Sequence, residues 1–327
     1  TNGDLSGLSR YYADSSLVAF ETSRAKNFRA LEDQWSTKIV DAKTTASVKS
    51  LAFNGETANA EVSEWTFFDW TDPNGNIVTS GMGTEHSITF RKRGSDWVIT
   101  ADAYDEGPLT GVTSLSYRKP TPKTPPVVAN GTTTSPDSSI EPMSEPPGST
   151  PYDRGSAVGY ADAYVYNQAN GGLYETWYNN ADYKNFNPDG GDCANFVSQS
   201  LHYGGLYFVN FGVNSTSAWW YDNKGTYSFQ TADDTASFTW TYVPWQMSYM
   251  IPGRGTQTTG SSLVPGDIVY YNWHKSSIDW DHVTIVVAKD SAGTPLVNSH
   301  NNDYYHVRWN YGYSDTVWTP VHMYDAF

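Results

Sequence analysis

Cysteine is nearly missing from this chain: Cys193 is the only one in 327 residues. One cysteine excludes an intrachain disulfide framework. Basic residues are scarce as well, 20 Lys and Arg against 35 Asp and Glu, for a formal net charge of −15. Both halves are net acidic, so the electrostatic footprint of a nucleic-acid binder is absent and an anionic membrane surface is disfavoured. No apolar run approaches the ~18–20 residues of a membrane-spanning helix. No Cys2His2 spacing and no His-Glu-x-x-His pattern occurs, which argues against a zinc hydrolase and leaves no metal or other cofactor called for. No 20–50-residue period repeats. The chain opens on Thr-Asn-Gly-Asp without a signal-peptide pattern, read here as the trimmed start of a mature form.

Aromatic residues are plentiful. Thirteen Trp and 24 Tyr help bring the aromatic share to 15%, while hydrophobic residues reach only 38%. That balance suits a protein in carbohydrate-rich surroundings, so a secreted, extracellular or cell-wall-associated location is expected. In such a place a leftover thiol is either reactive or intermolecular.

Composition divides the chain into three. In residues 1–119, Leu17, Phe20, Phe28, Leu31, Trp35 and Ile39 recur near helical spacing. Extended segments follow, punctuated by the hairpin signals Asn54-Gly55 and Asp72-Pro73-Asn74-Gly75. This predicts a small α+β accessory domain, a helix plus an antiparallel meander, resembling in layout the nuclear-transport-factor-like cone. Its single histidine, His86, reads as a sheet residue, and no clustered Cys/His/Asp set is apparent there. Residues 120–151 are rich in Pro, Thr, Ser and Glu and predict an extended linker. The linker carries one sequon-like Asn130-Gly131-Thr132. From residue 152 to 327 the sequence is compact and aromatic. A helix is expected after Asp153, a second near Cys193, and then strands at Asp267–Tyr271, His282–Ala288 and Val317–Met323. Helices followed by an antiparallel sheet make an α+β order.

Cys193 stands in Gly190-Gly191-Asp192-Cys193-Ala194-Asn195-Phe196-Val197, a polar turn opening a helical rhythm. A thiol at a helix N-terminus meets unpaired N–H groups and the positive end of the macrodipole, and both favour the nucleophilic thiolate. The alternative is a small buried hydrophobe. Asp192 fits the N-cap position. Thiol attack on an amide also needs a base, and the base needs an orienting group. His202 lies nine residues along the same helix, about 13 Å away at 1.5 Å per residue, too far to serve. His274 sits in a polar loop. His282 opens the most apolar strand and is the candidate base, the alternative being a strand-end histidine. His300, Asn301 and Asp303 are candidates for the orienting group, in a turn that could equally be solvated. Asp267 reads as a turn cap. Trp219, Trp220, Trp240 and Trp245 are either core or the lining of a saccharide or peptide groove.

These residues carry a resemblance. The Cys193 segment, with Tyr152-Asp153-Arg154 upstream, resembles the putative amidase domain of bacterial secreted proteins. That family groups with papain-like cysteine hydrolases and is similar to the NlpC and CHAP cell-wall families. Leu263-Val264-Pro265-Gly266-Asp267-Ile268-Val269 resembles the strand entry of those families. Asp281-His282-Val283-Thr284-Ile285-Val286-Val287 resembles their His-bearing strand, and Asn298-Ser299-His300-Asn301-Asn302-Asp303 a third segment. The resemblance covers residue 152 to the C-terminus, with the motifs in family order. It implies a papain-like fold, a nucleophile helix packed on an antiparallel sheet. It further implies Cys193 as nucleophile, His282 as base and His300 as orienter, with Asn301 and Asp303 as alternates. The implied substrate is peptidoglycan or a peptide, and the expected chemistry is amide hydrolysis. A non-catalytic cell-wall-binding module, or an acyltransferase using the same thiol, are the rival readings.

Overall fold

The structure, a computed structural model, describes residues 5–114, 150–165, 180–189, 191–224, 233–274 and 280–327. The sequon and most of the expected linker lie outside these residues. Helix α1 (Ser15–Gln34) starts where Asp14 accepts from the Ser16 and Leu17 amides at 2.9 and 3.0 Å, an N-cap that satisfies two orphan donors. Four long strands follow: β1 (Lys38–Asn54), β2 (Thr57–Thr71), β3 (Ile77–Arg93) and β4 (Asp96–Ala103). They turn at Asn54-Gly55 and at Asp72–Asn76, as the hairpin signals require. In the second turn Asp72 Oδ1 holds the Asn74 and Asn76 amides, each at 2.9 Å.

The C-terminal half supplies α2 (Arg154–Val165), α3 (Cys193–Tyr203), the two-residue strands β5 (Tyr221–Asp222) and β6 (Thr235–Ala236), α4 (Phe238–Thr241) and α5 (Val243–Met250). Strands β7 (Gly255–Gln257), β8 (Ile268–Asn272), β9 (His282–Lys289), β10 (Pro295–Ser299), β11 (Asp303–Arg308) and β12 (Val317–Met323) complete it. The fold is mixed α+β, with a large antiparallel sheet and few helices.

One ten-stranded sheet runs β1-β2-β3-β11-β10-β9-β8-β12-β7, with β4 also on β3. Strand pairing therefore crosses the compositional boundary: Gly81, Met82 and Gly83 of β3 pair with Tyr305, Tyr304 and Asp303 of β11. Side chains seal the same seam. Arg308 donates to the Trp35 carbonyl and lies 4.6 Å from the Trp70 ring. Tyr304 Oη donates to the Glu106 carbonyl at 2.6 Å.

The sheet has two buried sides. On the helix side, Val283, Ile285, Ile268 and Tyr270 pack with Cys193, Phe196 and Val197 of α3. On the inner side, Val269, Tyr271, Val286 and Val307 pack with Leu31, Trp35, Phe68 and Met82 from the N-terminal half. This alternation along β8 and β9 follows from the two-residue period of a strand.

The N-terminal half holds a charge cluster that the sequence did not reveal. Arg24 meets Glu64 at 2.6 Å and contacts Glu106, while Tyr104 Oη donates to Glu21 at 2.9 Å. His86 is on β3 as expected, buried, with Nδ1 2.9 Å from Asp102. Ion pairs so far apart in sequence leave no local signal.

Candidate active site

Helix α3 is the centre of the C-terminal half, and all its residues from Cys193 to Leu201 are buried. Its buried polar side chains are satisfied, as burial demands. Asn195 donates to the Lys184 carbonyl and to Asp192, and accepts from Trp240 Nε1 at 2.7 Å. Gln246 donates to the Ala194 carbonyl and to Ser198 Oγ, both at 2.8 Å. Ahead of the helix, Gly191 has φ +154°, and a Cβ there would stand 3.2 Å from the Asn301 amide nitrogen. The glycine lets the β10–β11 turn close over the start of α3.

Cys193 is the first residue of α3 and is 4% exposed. Burial pushes its thiol up to about 12, and the nearby Asp192 charge adds to this. The neighbouring Val283 amide, then those of Ala194 and Cys193 itself, pull the other way. Helix-end donors are thus present as the sequence suggests, but removal from water outweighs them. At neutral pH the resting group is a thiol.

Asp192 occupies the N-cap position but makes no cap bond, contrary to expectation. Its Oδ1 accepts instead from the Phe186 amide at 2.8 Å and from Asn195 at 2.9 Å, and its Oδ2 lies 2.8 Å from His300 Nδ1. The carboxylate ties the preceding loop to the helix rather than capping it.

His282 begins β9 and is 2% exposed. The fold brings its strand end to the nucleophile, since the next residue, Val283, packs in the same core cluster as Cys193. The ring itself faces inward. His282 pairs across β8 with Tyr271, while Val283 pairs with Tyr270 on the cysteine side. The imidazole centroid lies 5.6 Å from that of Tyr271 and 5.3 Å from that of Trp273. Both aromatics escaped notice in the sequence, although Tyr270-Tyr271-Asn272-Trp273 directly follows the Pro265-Gly266-Asp267 strand entry.

His300 corrects a sequence expectation. It lies on the helix side, with Nδ1 on Asp192 and Nε2 2.9 Å from the Tyr164 carbonyl of α2. The ring stacks on Phe196 at 4.0 Å. Register explains the facing: β10 shifts against β9 between Leu296 and Val297 and against β11 between Val297 and Ser299, and a one-residue slip reverses a side chain's face. Burial alone would depress the His300 imidazolium, but the Asp192 bond and the charges of Asp303 and Asp192 outweigh it and hold the pKa above the ordinary histidine value. Asn301, at φ +68°, sits over Gly191. Asp303 is buried at the first position of β11, at the seam with Gly83. Burial raises its carboxyl to about 6 despite attraction to His300.

Trp219 and Trp220 are 0% and 3% exposed, which is the core position of the two that the sequence left open and not a place on a groove wall. Trp219 packs 4.5 Å from Trp240, and Trp220 Nε1 donates to the Val213 carbonyl at 2.6 Å. The upstream motifs are structural partners. Tyr152 Oη donates to the Gly266 carbonyl and Arg154 binds Asp267, both at 2.7 Å. Asp267 also accepts from the Val264 and Met323 amides, holding the β8 entry against β12. Among the described residues no group of three or more His, Cys, Asp or Glu could hold a metal ion, and no helix is long and apolar enough to cross a membrane.

The family described as "Putative amidase domain" matches residues 151–324, more than half of the chain. A curated relative, the "Uncharacterized protein YhbB" of Bacillus subtilis (strain 168), is 31% identical over 181 residues, which is 54% of this chain. The match spans 50% of that relative's length. Among solved structures, the intermembrane space region of the chloroplast protein ARC6 is 20% identical, over 31% of this chain and 76% of that one. Its TM-score is 0.23, too slight to bear on the fold.

Proposed function

We propose that this chain, which belongs to the Putative amidase domain family, hydrolyses an amide bond through an acyl-thioenzyme on Cys193 in a papain-like arrangement. The observation that carries this reading is the position of the chain's only cysteine, first on a buried helix. Helix-end amides stabilise a thiolate when it forms, and in this reading the Cys193 N–H serves the tetrahedral oxyanion.

In this scheme Cys193 attacks the substrate carbonyl and His282 takes the thiol proton. The same imidazole returns the proton to the departing amine as the tetrahedral intermediate collapses to a thioester. Water, deprotonated by His282, then releases the acid and restores the thiol. In the resting structure the His282 ring lies against Tyr271 and Trp273. His300 is unsuited to be the base, because its two ring nitrogens face a carboxylate and a carbonyl, which accept and do not donate. The substrate class we infer is a peptidoglycan stem peptide or its lactyl-amide link, met outside the cell. The N-terminal half, continuous with the catalytic sheet, presents the site to the wall.

A non-catalytic wall-binding module is the second reading. The raised thiol and the inward ring of His282 favour it. Acyl transfer differs from hydrolysis only in the acceptor. The test incubates wild type and Cys193→Ser with purified cell wall and measures new amino groups, with and without an added amine acceptor. Hydrolysis predicts amine release by wild type alone. Equal release from both proteins removes Cys193 catalysis, and no release from either favours the binding module.

A further inference from the structure

We propose that His300 is a positioning residue for the nucleophile: an imidazolium paired with Asp192 that offsets its charge so that a thiolate can form at Cys193. This rests on the reading of Cys193 as nucleophile.

Asp192 directly precedes Cys193, and its charge works against ionisation of the sulfur. A carboxylate beside a helix-end nucleophile is an odd choice unless something offsets it, because like charges disfavour a second ionisation. His300 supplies the offset. His300 Nδ1 lies 2.8 Å from Asp192 Oδ2 and Nε2 lies 2.9 Å from the Tyr164 carbonyl oxygen. Both partners are acceptors, so both ring nitrogens must carry hydrogens, which is the imidazolium form. The pair is sealed from water, with 3% and 1% side-chain exposure. The other groups facing the ring are Phe196 of α3, stacked at 4.0 Å, and the charge of Asp303 on β11. Loop, α2, α3 and β11 therefore converge on one cation. Asp192 keeps its structural bonds to Phe186 and Asn195, and the His300 cation offsets part of the charge that it projects onto sulfur.

The experiment measures iodoacetamide labelling of Cys193 against pH by intact mass, in wild type, His300→Gln, Asp192→Asn and the double variant. Removing the imidazolium alone should slow labelling at pH 7 by about tenfold and move the half-point up by about one pH unit, the equivalent of about 1.4 kcal/mol. Removing the carboxylate as well should restore the wild-type half-point. A structural role for His300 predicts no such rescue. An unchanged profile in His300→Gln, or a double variant no better than the single, overturns the proposal. Should His300→Gln not fold, nitrogen-15 spectra of the wild-type histidines decide: an assigned His300 ring that stays doubly protonated above the ordinary histidine pKa of about 6.5 supports it, and a His300 ring neutral there refutes it. Labelling reports on the thiol alone, so loss of the hydrolase reading in the cell-wall assay leaves this test standing.

Discussion

Asp303→Asn should make the protein more stable at neutral pH. Asp303 is a carboxyl enclosed at the β3–β11 seam, 8% exposed, and its Oδ1 has no hydrogen-bond partner among the described residues. Its carboxyl rises from an ordinary 3.8 to about 6, chiefly through burial. A group whose folded pKa is raised contributes stability that is complete below its unfolded pKa and is lost as pH rises through the folded one. Here that window runs from about 4 to about 6. At about 1.4 kcal/mol per tenfold change in proton affinity, the ionised carboxylate costs about 3 kcal/mol at pH 7.5. Asparagine keeps the shape and, like the protonated acid, carries no charge into the seam; the attraction to His300 is already contained in the net shift. The gain expected is about 3 kcal/mol at pH 7.5, falling to about 1 kcal/mol at pH 4.5. Urea unfolding at half-unit steps between those limits measures it. A difference independent of pH, or a variant less stable than wild type at pH 7.5, refutes the argument.

Two further outcomes concern packing and charge away from that seam. Arg24→Met should cost about 3 kcal/mol in thermal or denaturant unfolding, because Glu64 and the buried Glu106 lose their shared cation. A loss under about 1 kcal/mol would mean that water screens the cluster. Trp240→Phe removes the indole donor 2.7 Å from Asn195 Oδ1 and should cost about 2 kcal/mol, since a buried acceptor is left unmet. Hydrogen exchange of the Ala194–Val197 amides should quicken with it, and unchanged exchange would show that Asn195 does not depend on this bond.

Much of the C-terminal half was legible because its signals are local. The polar turn before Cys193 and the apolar rhythm after it mark a helix whose start is where the sequence suggests. Val317–Met323 is a strand with the expected bounds, and Asp153 holds Ser156 at the start of α2 at 2.9 Å. The family likeness pointed to amide chemistry for the same reason: short contiguous motifs survive in the sequence. Strand β11 did not show, because its polar opening reads as a turn. The side on which His300 lies was hidden too, since two register shifts in β10 decide it. Asp192 looked like a cap because caps are read from position. Its actual partners are six residues upstream, three downstream and 108 away.

The amino-acid sequence by itself determined which residues could do chemistry here: one thiol, a few histidines, no metal pattern, and the helices and strands that bear them. Those depend on neighbours a few positions apart, where propensity and hydrophobic period act. Only the tertiary structure decided which of them meet. It paired β3 with β11, turned His282 inward to Tyr271 and Trp273, and set His300 on Asp192. Facing and partnership are properties of strand register and burial, and a linear sequence carries them only through contacts it does not display.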